Sequence, residues 1–238
     1  MSSMPPIAVI AGGLGTRLGA ISKSIPKSLV EVAGRPFIAH QLELFARRGI
    51  REAVFCVGHL GEQVEAYVQA HNASGIKVEF SYDGARQRGT GGAIRQALPR
   101  LGAEFLVTYG DSYLDIDYAE VVDAFRASAC TALMTVFRNE GRWDTSNVEF
   151  EGGRIQAYDK TNRTPRMHYI DYGLLAMSTP AFREWDSAEQ FDLLDLLKPL
   201  AAEGRLAGLE TSVRFFEVGS HAGIASLEAH LTARRPTI

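Results

Sequence analysis

Apolar and polar positions run along this chain in two rhythms. Ile7 to Ala11 is a continuous apolar run, as expected of a strand buried on both faces. Ala53 to Val57 and Glu104 to Tyr109 repeat that texture, and Lys77 to Tyr82 reads as a further strand. Between them the period lengthens. Ile38, Leu42 and Phe45 recur at helical spacing within Phe37 to Arg48, with Gly49 as a stop. Val64 and Val68 do the same within Glu62 to His71. The order is β-α-β-α-β, which predicts an α/β protein with a largely parallel sheet and helical crossovers. A helix over Tyr118 to Ala127 and a strand over Cys130 to Phe137 extend it.

From Asn139 the texture changes. Asn147 to Phe150, a Gly152-Gly153 turn and Arg154 to Tyr158 predict a hairpin. Tyr169 to Met177 predicts a long strand with Gly173 inside it, where a bulge or a close approach is expected. Two helices are predicted within 180–203, a last strand over Val213 to Val218, and a closing helix over Ala222 to Ala233.

Composition narrows the class. The chain has 238 residues, 46% hydrophobic and 22% charged, enough for one α/β domain with a substantial core. The expectation is a single domain over 1–238, with an N-terminal half to about 128 and a second half from about 129. A net charge of −3 supplies no basic field for nucleic acid. Cys56 and Cys130 both lie in apolar runs and read as buried thiols. No run reaches the length of a membrane span, and the N-terminal apolar run is short for a signal peptide. A cytoplasmic protein without membrane partners is the default expectation, and a homo-oligomer stays open.

The chemistry is concentrated where the first strand ends, at Gly12-Gly13-Leu14-Gly15-Thr16-Arg17. Such a turn cannot sustain a helix or a strand, but it can present bare N–H groups to an anion. Arg17 and, beyond Pro26, Lys27 add two cations, a combination suited to a polyphosphate. The dinucleotide fingerprint fails, because Leu18 stands where its third glycine belongs, and no P-loop run exists. The histidines have no metal spacing, and there is no G-x-S-x-G elbow. Gly89-Thr90-Gly91-Gly92 is a second glycine turn leading into a helix; by itself it reads as an ordinary helix start. Gly110-Asp111 closes the strand from Glu104, at the end of the sheet where ligands bind. Asp there serves as a cap or turn residue, or as a ligand. Asp115-Ile116-Asp117 follows, either a D-x-D metal pair or a helix cap.

Gly12-Gly13-Leu14-Gly15-Thr16-Arg17-Leu18, followed by Pro26-Lys27-Ser28-Leu29 and Gly34-Arg35-Pro36, resembles the signature of the sugar-1-phosphate nucleotidyltransferases. That resemblance extends over nearly the whole chain. It implies a Rossmann-like three-layer α/β/α fold around a mostly parallel mixed sheet. It implies an enzyme that joins an NTP and a sugar 1-phosphate into an NDP-sugar and pyrophosphate with Mg²⁺. It assigns Arg17 and Lys27 to catalysis. Ala11, Gly12, Gly13, Gly15, Thr16, Gly89, Thr90 and Gly91 fall to the nucleotide. Asn147, Lys160, Tyr172 and Gly173 fall to the sugar phosphate, and Asp111 and Glu217 (in Phe216-Glu217-Val218-Gly219-Ser220) to the metal. Within the family, the hairpin from Asn147, the Tyr169-Ile170-Asp171-Tyr172-Gly173 strand and the Phe216 to Ser220 ending look most like the bacterial heptose-1-phosphate guanylyltransferases. The alternatives are a hexose-1-phosphate uridylyl-, cytidylyl- or thymidylyltransferase, a glycosyltransferase using the 115–117 D-x-D, and a non-catalytic paralogue. The last should lack the cations or acids, and all are present.

Overall fold

The computed structural model describes residues 3–13 and 24–233. The strands are β1 (Ile7–Ile10), β2 (Glu31–Val32), β3 (Arg35–Pro36), β4 (Glu52–Val57), β5 (Lys77–Tyr82), β6 (Glu104–Tyr109) and β7 (Ser112–Tyr113). They continue as β8 (Ala132–Arg138), β9 (Val148–Glu151), β10 (Arg154–Tyr158), β11 (Tyr169–Ser178), β12 (Leu206–Thr211) and β13 (Phe216–Glu217). The helices are α1 (Phe37–Arg47), α2 (Gly61–His71), α3 (Gly89–Leu101), α4 (Tyr118–Ser128), α5 (Leu193–Ala202) and α6 (His221–Ala233).

Among the described residues, the main sheet runs β5-β4-β1-β6-β11-β8-β12-β10-β9. From β5 to β6 every pairing is parallel. Beyond β6 the sheet is mixed: β11 is antiparallel to both β6 and β8, and β12 is parallel to β8. Two apolar layers cover it. On one face, Ile94, Ala97 and Leu101 of α3 and Leu193, Leu196, Leu197 and Leu200 of α5 share a core with Val54, Val107 and Leu175. On the other, Ile38, Leu42 and Phe45 of α1, Val64 and Val68 of α2 and Val121, Val122 and Phe125 of α4 pack on Val9, Phe55, Leu106 and Leu174. This is the three-layer α/β/α arrangement. Its first half follows the helical and strand periods of the sequence to within a residue or two at each boundary.

The C-terminal part differs from expectation. Val213 to Val218 was expected to be one strand, but only Phe216–Glu217 pairs, and it does so with β7 outside the main sheet. The strand that joins the main sheet is β12, which begins seven residues before Val213, in a segment not expected to be a strand. The aromatic pattern of 213–218 serves tertiary contacts instead. Phe215 meets Phe137 and Tyr172, while Phe216 meets His230 of α6. The first of the two helices expected in 180–203 is a 3-10 segment, Thr179–Trp185.

Candidate functional site

The site is built where β1 and β6 end side by side. Gly110 donates its N–H to the Ile10 carbonyl at 2.8 Å, so the two chains stay zipped beyond the strands. A side chain at 110 would place its Cβ 2.8 Å from that of Ala11, and only glycine permits the approach. The cleft beyond is lined by Ala11, Gly13, Lys27, His59, Thr90 and Asp111. Gly12 and Gly13 continue into an adjoining recess with Asp83 and Gly89. Gly15, Thr16 and Arg17 lie outside the described residues.

Lys27 begins a single 3-10 turn, Lys27–Leu29, fixed behind extended Pro26. Its Nζ lies 3.0 Å from Asp111 Oδ2, with the two side chains 19% and 24% exposed. The pair is therefore open to the cleft. Glu217 joins it through the β7–β13 pairing, which sets Glu217 opposite Ser112, and through the Val218 N–H donated to the Asp111 carbonyl at 2.9 Å. A Cβ built on Gly219 would lie 3.5 Å from both Asp111 Oδ2 and Lys27 Nζ and 2.6 Å from Glu217 Oε2, so the three charged groups surround one point. Glu217 also accepts from the Gly219 N–H and the Ser220 hydroxyl, which fixes its carboxylate and leaves lone pairs free. The last strand, expected over Val213 to Val218, does not reach the main sheet; the two-residue β7–β13 clip brings Glu217 to Asp111.

Two convergent carboxylates beside a phosphate-suited loop are a hard-oxygen donor set. It fits Mg²⁺, which is held by one or two carboxylates with substrate phosphates. Among the described residues no cluster of three or more His, Cys, Asp or Glu side chains is arranged for a metal. The 115–117 D-x-D is committed elsewhere. Asp115 is 2.6 Å from Arg48 and 3.5 Å from Arg47, and Asp117 caps α4 by accepting from Ala119 N–H.

The second glycine turn is the first turn of α3. Gly91 and Gly92 donate their N–H groups to the Phe191 carbonyl at 3.0 and 3.1 Å. Thr90 Oγ1 accepts from Leu193 N–H. A Cβ on Gly91 would stand 2.3 Å from the Phe191 ring. Gly89 and Thr90 thus reach the recess, whereas Gly91 lies beneath Phe191. Arg88 turns inward, its Nε donating to the Asp83 carbonyl at 2.9 Å. The Asp83 side chain was not among the expected site residues. It is buried, and burial pushes its carboxyl above the usual range, opposed by the Arg88 backbone N–H and charge.

In the second half, Asn147 stitches strands together: its Oδ1 accepts from Asp171 N–H, and its carbonyl from Asp159 N–H. Gly173, at φ +101°, sits at the break in the β11–β8 register and lets β11 pass over Tyr109 and Ser112. Lys160 is exposed, with Nζ 5.8 Å from the centre of the Tyr158 ring. Tyr172 is 3% exposed, against Phe137 and Phe215. It faces the core opposite the expected sugar pocket. Its neighbour Asp171 has the other face of β11, accepting from Gly173 N–H and Tyr158 O–H at 3.0 Å each. Burial raises its carboxyl pKa, and the Lys160 charge opposes that. Tyr109, in the cleft wall, has Asp171, Asp111 and Asp192 around it, and burial with these charges keeps its phenol protonated. A lone Asp inside the apolar strand Tyr169–Ser178 was the available signal for Asp171.

The chain matches the Nucleotidyl transferase family over residues 7–150. It belongs to that family. It is 29% identical over 242 residues to an N-acetylmuramate alpha-1-phosphate uridylyltransferase of Caulobacter vibrioides, covering 97% of this chain and 99% of that one. It is 28% identical over 190 residues to a D-glycero-alpha-D-manno-heptose 1-phosphate guanylyltransferase of Campylobacter jejuni, covering 80% and 83%. The fold matches HddC from Yersinia pseudotuberculosis complexed with GMP-PN at a TM-score of 0.82 and 21% identity, over 96% of this chain and 100% of that one. This nucleotidyltransferase carries no helix, among its described residues, long and apolar enough to cross a membrane.

Proposed function

We propose that this nucleotidyltransferase transfers a nucleotidyl group from an NTP to a sugar 1-phosphate, giving an NDP-sugar and pyrophosphate. The observation that carries the reading is the convergence of Lys27, Asp111 and Glu217 on one point at the cleft that Gly13 also lines. The incoming phosphate monoester has a second pKa of about 6 and is largely dianionic at neutral pH, so its oxygen attacks the α-phosphorus without a general base. The obstacle is repulsion between polyanions, about 4 kcal/mol per pair of unit charges at ~4 Å in a dielectric of ~20. Lys27 is held by Asp111 at the phosphate end. Arg17 is assigned to the triphosphate and the departing pyrophosphate, and Lys160 to the sugar phosphate. The glycine-loop amides at 11–13, 15 and 16 and the Gly89-Thr90 turn cradle the nucleotide. When bound at Asp111 and Glu217, Mg²⁺ supplies further neutralisation of phosphate charge.

For the base we propose guanine. Asp83 places a carboxylate in the recess beside Gly12 and Gly89, and a carboxylate only accepts hydrogen bonds. The Watson–Crick edge of guanine offers it two adjacent donors, N1–H and the 2-amino group. Uracil offers one donor between two acceptors. With the similarity to the Campylobacter jejuni enzyme, this favours GTP and D-glycero-D-manno-heptose 1-phosphate. The competing reading is UTP, which the longer alignment to the Caulobacter vibrioides enzyme favours. The test is pyrophosphate release from four NTPs against a panel of sugar 1-phosphates, with and without EDTA. GTP-dependent, EDTA-sensitive release is expected. A preference for UTP overturns the guanine assignment, and full activity in excess EDTA overturns the metal.

A further inference from the structure

We propose that Gln41 is a positioning residue for Asp111, acting through the backbone on both sides of it; the inference rests on the phosphate-end role given to Asp111 above. Gln41 lies on α1 and is fully buried. Its Nε2 donates to the Tyr109 carbonyl at 3.1 Å and to the Ser112 carbonyl at 3.0 Å. Those carbonyls bracket Gly110-Asp111. Both amide hydrogens are therefore spent on the turn that carries the acid, and they tie together the end of β6 and the start of β7.

The other end of the amide shows what this arrangement costs. Gln41 Oε1 is buried without a hydrogen-bond partner among the described residues, an unfavourable state for a polar atom. Methionine or leucine would fill the same space with no stranded acceptor. What they cannot supply is two donors to the Tyr109 and Ser112 carbonyls. The turn has two further anchors: Gly110 N–H on the Ile10 carbonyl, and the Asp111 carbonyl accepting from Val218 N–H. Gln41 is the anchor on the α1 side. Because Lys27 Nζ is only 3.0 Å from Asp111 Oδ2, a turn that drifts moves an acid and releases a cation. A misplacement of ~1 Å at a reacting centre costs on the order of 100-fold in rate. Gln41 itself reaches no cleft, so its effect falls on turnover and not on substrate affinity.

Two variants, Gln41→Met and Gln41→Glu, test this. In Gln41→Met, kcat for pyrophosphate release should fall roughly 10- to 100-fold while KM for NTP stays within about 3-fold. The Mg²⁺ concentration for half-maximal rate should rise, and by hydrogen exchange the backbone amides of 110–113 should open faster than in the wild type, with those of β4 unchanged. Gln41→Glu adds a pH signature. Its protonated acid can still donate one bond, whereas the carboxylate donates none and repels both carbonyls, so its rate relative to wild type should fall as pH rises. Wild-type kcat and metal requirement in Gln41→Met overturn the proposal, as does a flat relative pH profile in Gln41→Glu should Gln41→Met not fold. If the wild type releases no pyrophosphate from any NTP, the function itself fails. The exchange of the 110–113 amides still decides whether Gln41 holds the turn, and unchanged exchange rejects it.

Discussion

Lys27 and Asp111 are 84 positions apart in sequence, and their pairing decides what each can do. Asp111 holds the ammonium at the cleft at 3.0 Å, with both side chains partly exposed. Replacing Lys27 by Met should leave the fold intact, since the pair is partly solvated and contributes little to stability. It should lower kcat/KM for NTP by about 100-fold, the usual scale for losing a preorganised charge contact. Steady-state kinetics beside a thermal unfolding curve separates the two effects. The two thiols also divide at this scale. Burial pushes the Cys56 pKa up to about 12, while Cys130 is only half-buried and touches Arg154.

At the scale of elements, the connection after β10 shows how an acid can be structural. Asp159 accepts from the N–H groups of Thr161 and Asn162 and from Lys198 Nζ on α5 at 2.6 Å. The Lys198 bond, then the two backbone bonds, hold its carboxyl well below the usual range. A depressed carboxylate contributes stability above its unfolded pKa of about 3.9, and that stability is lost as pH falls through the folded value. The difference in Tm between wild type and Lys198→Met should therefore be greatest above about pH 4 and shrink as acid is added. A constant difference down to pH 2 would place the effect of Lys198 outside this pair. The sequence made α1, α2, β5 and β6 readable because each obeys one period over its length. It did not reveal β12. Gly208 in its middle breaks the strand texture, since it lies under Phe150 and Ile155 where no side chain fits. Conversely, the alternation from Val213 to Val218 looked like a strand because Phe215 and Phe216 serve two different cores. Lys27, Asp111 and Glu217, which the fold brings together, each lie in a local motif of the sequence. Asp171, Asp83 and Gln41 were not readable, because each takes its setting from a segment that only the fold brings alongside: Tyr158 for Asp171, Gly12 for Asp83, and the Tyr109 and Ser112 carbonyls for Gln41.

At the scale of the molecule, the parallel half of the sheet carries Gly12, Gly13 and the recess with Asp83, and the mixed half carries Asn147, Lys160 and Asp171. The halves are locked where the first turn of α3 lies under Phe191. This division predicts separable substrate binding. Lys160→Ala should raise KM for the sugar phosphate about 10-fold or more while NTP affinity by calorimetry stays near wild type, as expected for loss of one charged contact. Loss of NTP affinity would place Lys160 on the nucleotide side.

The clip between β7 and β13 has a consequence for how such enzymes diversify. Glu217 finds Asp111 through two paired residues and one carbonyl, without a fixed register in the large sheet. Everything strung between those acids, from α4 through β12, leaves and returns at the clip, but it is also tied to the rest of the molecule by β11 on β6 and by Phe191 on the first turn of α3. A lineage can therefore vary the segments between these ties, such as the β9–β10 hairpin, while the spacing of Lys27, Asp111 and Glu217 is inherited unchanged. The same ties make the β9–β10 hairpin, and not all of 114–215, the natural unit for grafting between relatives.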